Sequence, residues 1–489
     1  MNPVSVLITI ATYFAILFLV SYIAGRKADN EGFFVGNRKS SWYVVAFAMI
    51  GSSISGVTFV SVPGMVAVSG FSYLQMVLGF VAGQFLIAFV LVPLFYRMNL
   101  VSIYEYLENR FGMSSYKTGA WFFFISKMLG AAVRLFLVCL TLQLLVFDPL
   151  DLPFILNVIV TVALVWLYTF QGGVKSLIWT DSLKTFCLVV SVVLCIYFIA
   201  SDLDLSFGGM MTAIKDSDLS RMFYFDEIND KRYFFKQFFA GMFTMIAMTG
   251  LDQDMMQRNL SCKNFKDSQK NMITSGISQF FVILLFLMLG VLLYMYGGRY
   301  GLLQDVIQGD MSSDKVFPLI ATNSHFPVIV GILFIIGLIS SAYSAAGSAL
   351  TALTTSFTVD VLGIRNKKEE DVVKLRKRVH LGMAVIMGVV IIVFNILNDT
   401  SVIDAVYTLA SYTYGPILGL FAFGIFVKKP VRDRFVPLVA VLSPFLCLIL
   451  QKHSKAWFGG YEFSYELLIL NALFTFVGLC LLIKDRTAG

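Results

Sequence analysis

Thirteen times along 489 residues, an apolar run long enough to cross a bilayer ends in a short charged or polar break. A helix needs about 20 predominantly apolar residues to pass the hydrocarbon core, and only helices and closed barrels satisfy every backbone polar group there. The runs lie near 4–25, 43–69, 72–96, 118–147, 153–170, 173–200, 235–255, 271–297, 326–361, 379–398, 401–426, 433–452 and 463–483. An all-α polytopic membrane protein with 13 transmembrane helices is therefore expected. Composition agrees: 58% of residues are hydrophobic and 14% charged, whereas a water-soluble domain carries roughly a quarter charged residues.

The basic residues sort between alternate loops. Of 37, 25 lie on one set, densest from Arg365 to Arg378, and nine on the other, whose longest member, Ser201 to Tyr233, is mostly acidic. Positive loops mark the cytoplasmic side. The amino terminus should thus face out and the carboxyl terminus in, across a plasma (inner) membrane, as an odd number of crossings requires. Basic residues scattered between apolar runs also argue against reading the net charge of +7 as a nucleic-acid footprint. The bilayer and a small solute are the partners implied, and no protein partner is required.

No basic residue precedes Arg26, so the first run is expected to stay as a helix rather than be removed as a secretory leader. The six cysteines lie in apolar runs or, for Cys262, in a basic loop, with neither a disulfide framework nor zinc spacing. His325, His380 and His453 sit near the ends of apolar runs, which argues against an enzyme built on intramembrane histidines. No enzymatic activity and no catalytic or cofactor-binding residue is expected. The last run ends within a few residues of Gly489, so an output domain, and with it a sensor role, is not expected either.

Three polar features interrupt the apolar runs. The second run holds a small, polar knot from Ile50 to Gly56, which reads either as a broken helix whose freed carbonyls face an ion or solute, or as close packing through small residues. In the ninth, Ser340, Ser341, Ser344, Ser348 and Thr351 follow a 3/4 spacing, so their hydroxyls line one helical face. Such a stripe serves as packing glue or as neutral oxygen ligands for a hard cation. The third feature is charge inside the runs: Lys127, Arg134, Asp181 and Lys184. Ionisable groups at this depth cost at least about 2.5–3.5 kcal/mol and mark function by default, with snorkelling or a structural ion pair as the plainer alternatives. Asp181 sits about 12 Å above the inner end of its helix, and Lys184 is its neighbour one turn on. Its partner is expected to be Lys184, a bound cation, or both in alternation.

Several separated motifs converge on one family. Phe33 to Trp42 precedes the knot; Glu105, Tyr106, Leu107, Arg110, Phe111 and Gly112 follow it; Gly172 and Gly173 stand before Trp179, Thr180 and Asp181; Asp252, Gln253, Gln257 and Arg258 precede Lys263 and Asn264; and Ser340, Ser341 and Ser344 precede Thr358 and Asp360. From about Gly32 to Lys429 the chain resembles the sodium/solute symporters, the group of sodium/glucose, sodium/proline and bacterial sialic acid transporters. The resemblance implies a five-plus-five inverted-repeat core of the leucine-transporter type. Residues 1–42 would be an added helix and loop, 43–200 the first repeat, 201–234 an outer segment, 235–426 the second repeat and 427–489 two further helices.

It also implies a set of roles. Sodium, the coupling ion, would be held by backbone carbonyls of Gly51, Ile54 and Gly337 and the hydroxyls of Ser340 and Ser341. A second sodium site of some relatives falls on Asp181, Ser341 and Ser344, with Tyr343 where a small hydroxyl residue would help. Lys184 stands where the family usually has Gln, so its ammonium would replace the second sodium or, more radically, make transport proton-coupled. Ser53, Ser55, Thr58, Gln75 and Arg134 match polar positions of the sialic acid pocket, and Gln279 stands where sugar-transporting relatives have a lysine. A guanidinium pairs with a carboxylate through two hydrogen bonds, so an anionic solute is expected, sialic acid or another sugar acid first and a monocarboxylate next. Lys127, on a face similar to that of Arg134, would add a second positive contact or snorkel inward. A neutral sugar, polyol or amino acid remains the alternative solute, and a channel or a sensor the alternative classes.

Overall fold

In a computed structural model, residues 3–25, 41–98, 100, 103–169, 174–303, 312–323, 327–358, 362, 369–397 and 401–484 are described. Segments 26–40 and 170–173 and position 360, with the family motifs on them, lie outside the described residues. So do the side chains of Trp179, Thr180, Gln257 and Ser344. Helix accounts for nearly all of the rest, because an apolar segment in lipid has to close its own hydrogen bonds.

The longer helices, numbered in chain order, are α1 (Pro3–Gly25), α2 (Trp42–Ser53), α3 (Gly56–Gly64), α4 (Tyr73–Leu86), α5 (Met113–Leu142), α6 (Phe154–Thr169) and α7 (Val174–Asp202). They continue as α8 (Phe234–Met245), α9 (Gln253–Asn259), α10 (Phe265–Arg299), α11 (Val328–Ser356), α12 (Glu369–Leu397), α13 (Val402–Phe426), α14 (Val436–Trp457) and α15 (Leu467–Leu481). Each of the thirteen apolar runs carries helix. Among the described residues, eight helices are long and apolar enough to cross a membrane, nine if α2 and α3, bent by 56° at their junction, count as one, with shorter apolar helices at Val6–Leu19, Phe154–Leu167 and Leu467–Leu481.

The packing repeats itself. α4 lies on α8 and α3 on α10; α7 lies on α11 and α5 on α13; α5 lies on α12 and α6 on α11. Each pair maps onto the next when every helix is exchanged for the one in the same place of the other half of the chain. α4 and α8 cross closely, since a Cβ on Gly79 would strike the carbonyl oxygen of Phe238 and one on Gly241 that of Met76. Small residues permit such backbone contact, which is how helices associate where burial from water gives no drive.

The segment between α7 and α8 forms a short helix, Phe207–Asp216, then a turn at Asp218–Ser220 and an irregular return to α8. Tyr224 lies between the guanidinium groups of Arg221 and Arg232, each 4.5 Å from its ring centroid. Hydrogen bonds from Arg232 hold the Asp230 carboxyl below its ordinary value.

Candidate functional site

The knot in the second run is a break. α2 ends at Ser53, Ile54 (φ −89°, ψ 98°) and Ser55 (φ −88°, ψ 174°) are extended, and α3 begins at Gly56. Among the described residues, no backbone N–H returns to the carbonyls of Gly51, Ser52, Ser53 or Ile54. Four acceptors are thus left free within a buried stretch, Ile54 itself being fully buried. A second break follows α8, where a widened turn at Ile246–Gly250 leads to extended backbone at Asp252 before α9.

α11 runs beside the first break. A Cβ on Gly337 would meet the Phe59 ring of α3, and three turns further along α11 the Ser348 hydroxyl accepts a hydrogen bond from Arg258, 2.6 Å away, which also donates to Ser52 of α2. These contacts bracket the break, so the stretch holding Ser340 and Ser341 lies across from it. Both serines are fully buried, and each donates its own proton down the helix, Ser340 to Gly337 O at 3.4 Å and Ser341 to Leu338 O at 2.8 Å. With the proton used, their oxygen lone pairs remain to accept or to ligate. Gly51 abuts Thr185 and the Asp181 carbonyl of α7 so tightly that no Cβ fits.

A cavity of about 70 Å³ opens beside the break, lined among others by Ser52, Ser53, Ser55, Thr58, Arg134 and Gln279. Arg134 projects from α5, makes no hydrogen bond or ion pair among the described residues, and has a buried Nε without an acceptor. Gln279, on the facing α10, has an equally unpartnered Oε1. Thr244 and Thr249 complete the polar wall from the α8 side. A vestibule of about 1050 Å³ reaches Tyr73 and Ile403 and is lined also by Asp230 and Arg232. Tyr73 and Tyr407 meet there, hydroxyl to hydroxyl at 2.6 Å, between the vestibule and the cavity.

The expected ion pair between Asp181 and Lys184 does not form. Asp181 accepts from Arg258 at 2.9 Å and lies 3.4 Å from the Ser52 hydroxyl. Lys184 is 1% exposed, yet its Nζ has no hydrogen-bond partner. The cause is reach, because α9 brings a guanidinium, a longer and more weakly hydrated donor, straight onto the carboxylate. Lys127 does not line the cavity beside the break but shares a smaller one of about 30 Å³ with Arg134. It pairs with Asp252 at 3.0 Å and Asp254 at 3.1 Å, and Asp252 also accepts from Tyr414 at 2.9 Å. Asp254 in turn lies 3.4 Å from Arg258. The result is a chain of charges, Lys127 to Asp252 and Asp254 to Arg258 to Asp181.

Gln75 is the other displaced expectation. It does not line the cavity: its Nε2 donates to Arg232 O at 2.8 Å and its Oε1 accepts from Tyr224 N at 3.1 Å, which pins the outer segment. Tyr343 is buried against Phe14, ring centroids 4.9 Å apart, with an unpartnered hydroxyl. The buried Asp252 and Arg258 and the half-buried Asp254 went unread as interior charges because they follow the end of an apolar run, where charges usually meet water. Tyr73 and Tyr407 carry no local signal at all.

Residues 33–433 match the Sodium:solute symporter family. The chain belongs to that family. It is a sodium-coupled solute symporter and not an enzyme. The sodium/sialic acid symporter NanT of Aliivibrio fischeri is 25% identical over 85% of this chain and 81% of its own length. The human sodium/iodide cotransporter is 24% identical over 85% of this chain and 65% of that protein. A solved structure of a sodium-coupled sialic acid symporter, substrate-bound and outward-open, superposes with a TM-score of 0.81 at 20% identity, covering 97% of both chains. A nucleobase-cation-symport-1 family transporter in a closed conformation superposes with a TM-score of 0.54 at 14% identity, covering 92% of this chain and 94% of that one. The fold of this symporter is thus of the leucine-transporter type.

Proposed function

We infer that this symporter imports an anionic organic solute by alternating access and that Arg134 holds the solute's carboxylate. The observation that carries the reading is the Arg134 guanidinium, which stands in the cavity wall without a counterion while Lys127 and Arg258 are both paired. Among the described residues Asp252, Asp254 and Asp181 are taken up by Lys127 and Arg258, which leaves the Arg134 guanidinium of the cavity wall for an anion. A neutral sugar, polyol or amino acid would leave the guanidinium uncompensated at depth, which is costly. Sialic acid or another sugar acid fits first, a simple monocarboxylate next.

Sodium binds at the break, to the carbonyls of Gly51 and Ile54, the carbonyl of Gly337 and the hydroxyls of Ser340 and Ser341. The free carbonyls opposite two proton-spent serines support this assignment. Its entry down a membrane potential contributes about 2.3 kcal/mol per 100 mV. The chain crosses 13 times with its amino terminus outside, in two repeats over 43–200 and 235–426, a division that the exchanged packing pairs support. With Asp181 engaged by Arg258 and Lys184 close by, a second sodium has no free carboxylate, so one sodium accompanies each solute.

The test is thermal stability of the purified protein in sodium against choline, screened with sialic acid, sugar acids, neutral sugars and proline. A shift that needs sodium, is enlarged by a carboxylate compound and is lost in Arg134→Ala supports the reading. A shift from a neutral solute that survives Arg134→Ala overturns the anionic assignment.

A further inference from the structure

We propose that Asp252 stands in for the solute in the empty carrier: once the solute has left, the Arg134 guanidinium turns out of the solute cavity into the smaller one beside it and pairs with the Asp252 carboxylate. The proposal rests on the reading of Arg134 as the solute's carboxylate site and supplies what balances that charge on the way back. A carrier working by alternating access closes its site twice per cycle, once loaded and once empty. A guanidinium cannot shed its proton, so at depth its charge needs a partner on both crossings. The solute provides one only on the first.

Arg134 lines both cavities, as do Met248, Met255 and Val406, so the guanidinium stands on the boundary between them. Of the three carboxylates in the charge chain, Asp252 alone lines a cavity that Arg134 also lines; Asp181 and Asp254 line neither. The side chains of a helix lean toward its amino-terminal end, which carries Arg134 over Gly130 and toward Lys127 on α5. Gly130 lines the smaller cavity and leaves that path open, because a Cβ there would meet no neighbouring helix within 4 Å. Asp252 can change partners without stranding the old one. Lys127 takes its two oxygens at 3.1 and 3.0 Å but also holds Asp254 at 3.1 Å, and can turn to that carboxylate entirely. Meanwhile Tyr414 and the Met255 N–H, at 2.9 and 3.1 Å, keep the buried Asp252 carboxylate where it is.

The full-length protein in sodium-containing liposomes separates the two crossings, since exchange of solute against solute uses only the loaded one and net uptake into solute-free vesicles needs both. Radiolabelled N-acetylneuraminate, gluconate and lactate are the probes. Asp252→Asn removes the charge while keeping an N-cap for α9 and leaving Lys127 with Asp254. It is expected to bind the transported acid about threefold or more tightly, an internal competitor for Arg134 being gone, to exchange within about twofold of the wild type, and to take it up about tenfold more slowly. Gly130→Leu, which fills the smaller cavity with Asp252 intact, should show the same split between exchange and uptake, and decides the matter should Asp252→Asn fail to fold. Exchange and net uptake that fall together or stay unchanged in both variants, or an Asp252→Asn protein that binds the acid no more tightly, overturns the proposal and leaves the carboxylate reading standing. Transport of none of the three acids, or normal transport by Arg134→Ala, overturns that reading and the proposal with it.

Discussion

Arg258 donates to the carboxylate of Asp181 across 2.9 Å, joining the segment after the second helix break to the helix that backs the first. Removing one partner of a buried pair costs about 3–5 kcal/mol, since the other charge is left uncompensated. Arg258→Met is expected to destabilise the symporter by that order, and Asp181→Asn in the same chain to restore part of the loss. Chemical denaturation of the two single variants and the double variant measures the coupling, and a strictly additive cycle would count against a direct pair.

Lys184, one turn beyond Asp181, has a buried Nζ that no acceptor meets among the described residues. An ammonium there opposes cation binding nearby. Lys184→Gln is expected to bind sodium about several-fold more tightly and to give a steeper sodium curve than the wild type, whose Hill coefficient should be about one. Sodium titrations of thermal stability and of uptake test both statements. A wild-type coupling ratio of two sodium ions per solute would refute the single-ion assignment.

Ser341 gives its proton to Leu338 O and has oxygen lone pairs to offer. Ser341→Ala is expected to weaken sodium dependence by about tenfold, the loss of one polar partner of a buried ion. Ser341→Thr should retain most of the affinity. Sodium-dependent uptake at saturating solute separates this effect from a loss of folding, because the alanine variant should recover at high sodium.

Tyr73 and Tyr407 share one hydrogen bond between the cavity and the vestibule. Tyr407→Phe and Tyr73→Phe should therefore have the same effect as each other, and the double variant no further one. A cysteine placed at Thr58 should react about fivefold faster with an aqueous maleimide in either variant, the size expected for losing about 1 kcal/mol of closure. Unequal single variants would assign the closure to ring packing against Phe80 or Tyr465 instead.

Helix positions were legible from apolar run lengths alone, and the first break from the cluster of Gly51, Ser52, Ser53, Ser55 and Gly56. That signal is local, one segment carrying both cause and effect. The charge chain was not legible, because Lys127 and Asp252 are 125 residues apart and only the folded core makes them neighbours. Adjacency on one helix suggested Lys184 for Asp181; tertiary reach supplied Arg258. Gln75 misled for the same reason: polar residues inside apolar runs announce burial but not the partner, and this one faces the outer segment rather than the cavity.

The glycines at the crossing of α4 and α8 constrain how such a carrier moves. At Gly79 and Gly241 each helix lies directly against the other's backbone, at Phe238 and Met76. Two helices joined in that way behave as one stiff lever, and whatever swings during a cycle has to pivot elsewhere. The chain provides two pivots, the extended residues Ile54–Ser55 and the break that ends at the extended Asp252.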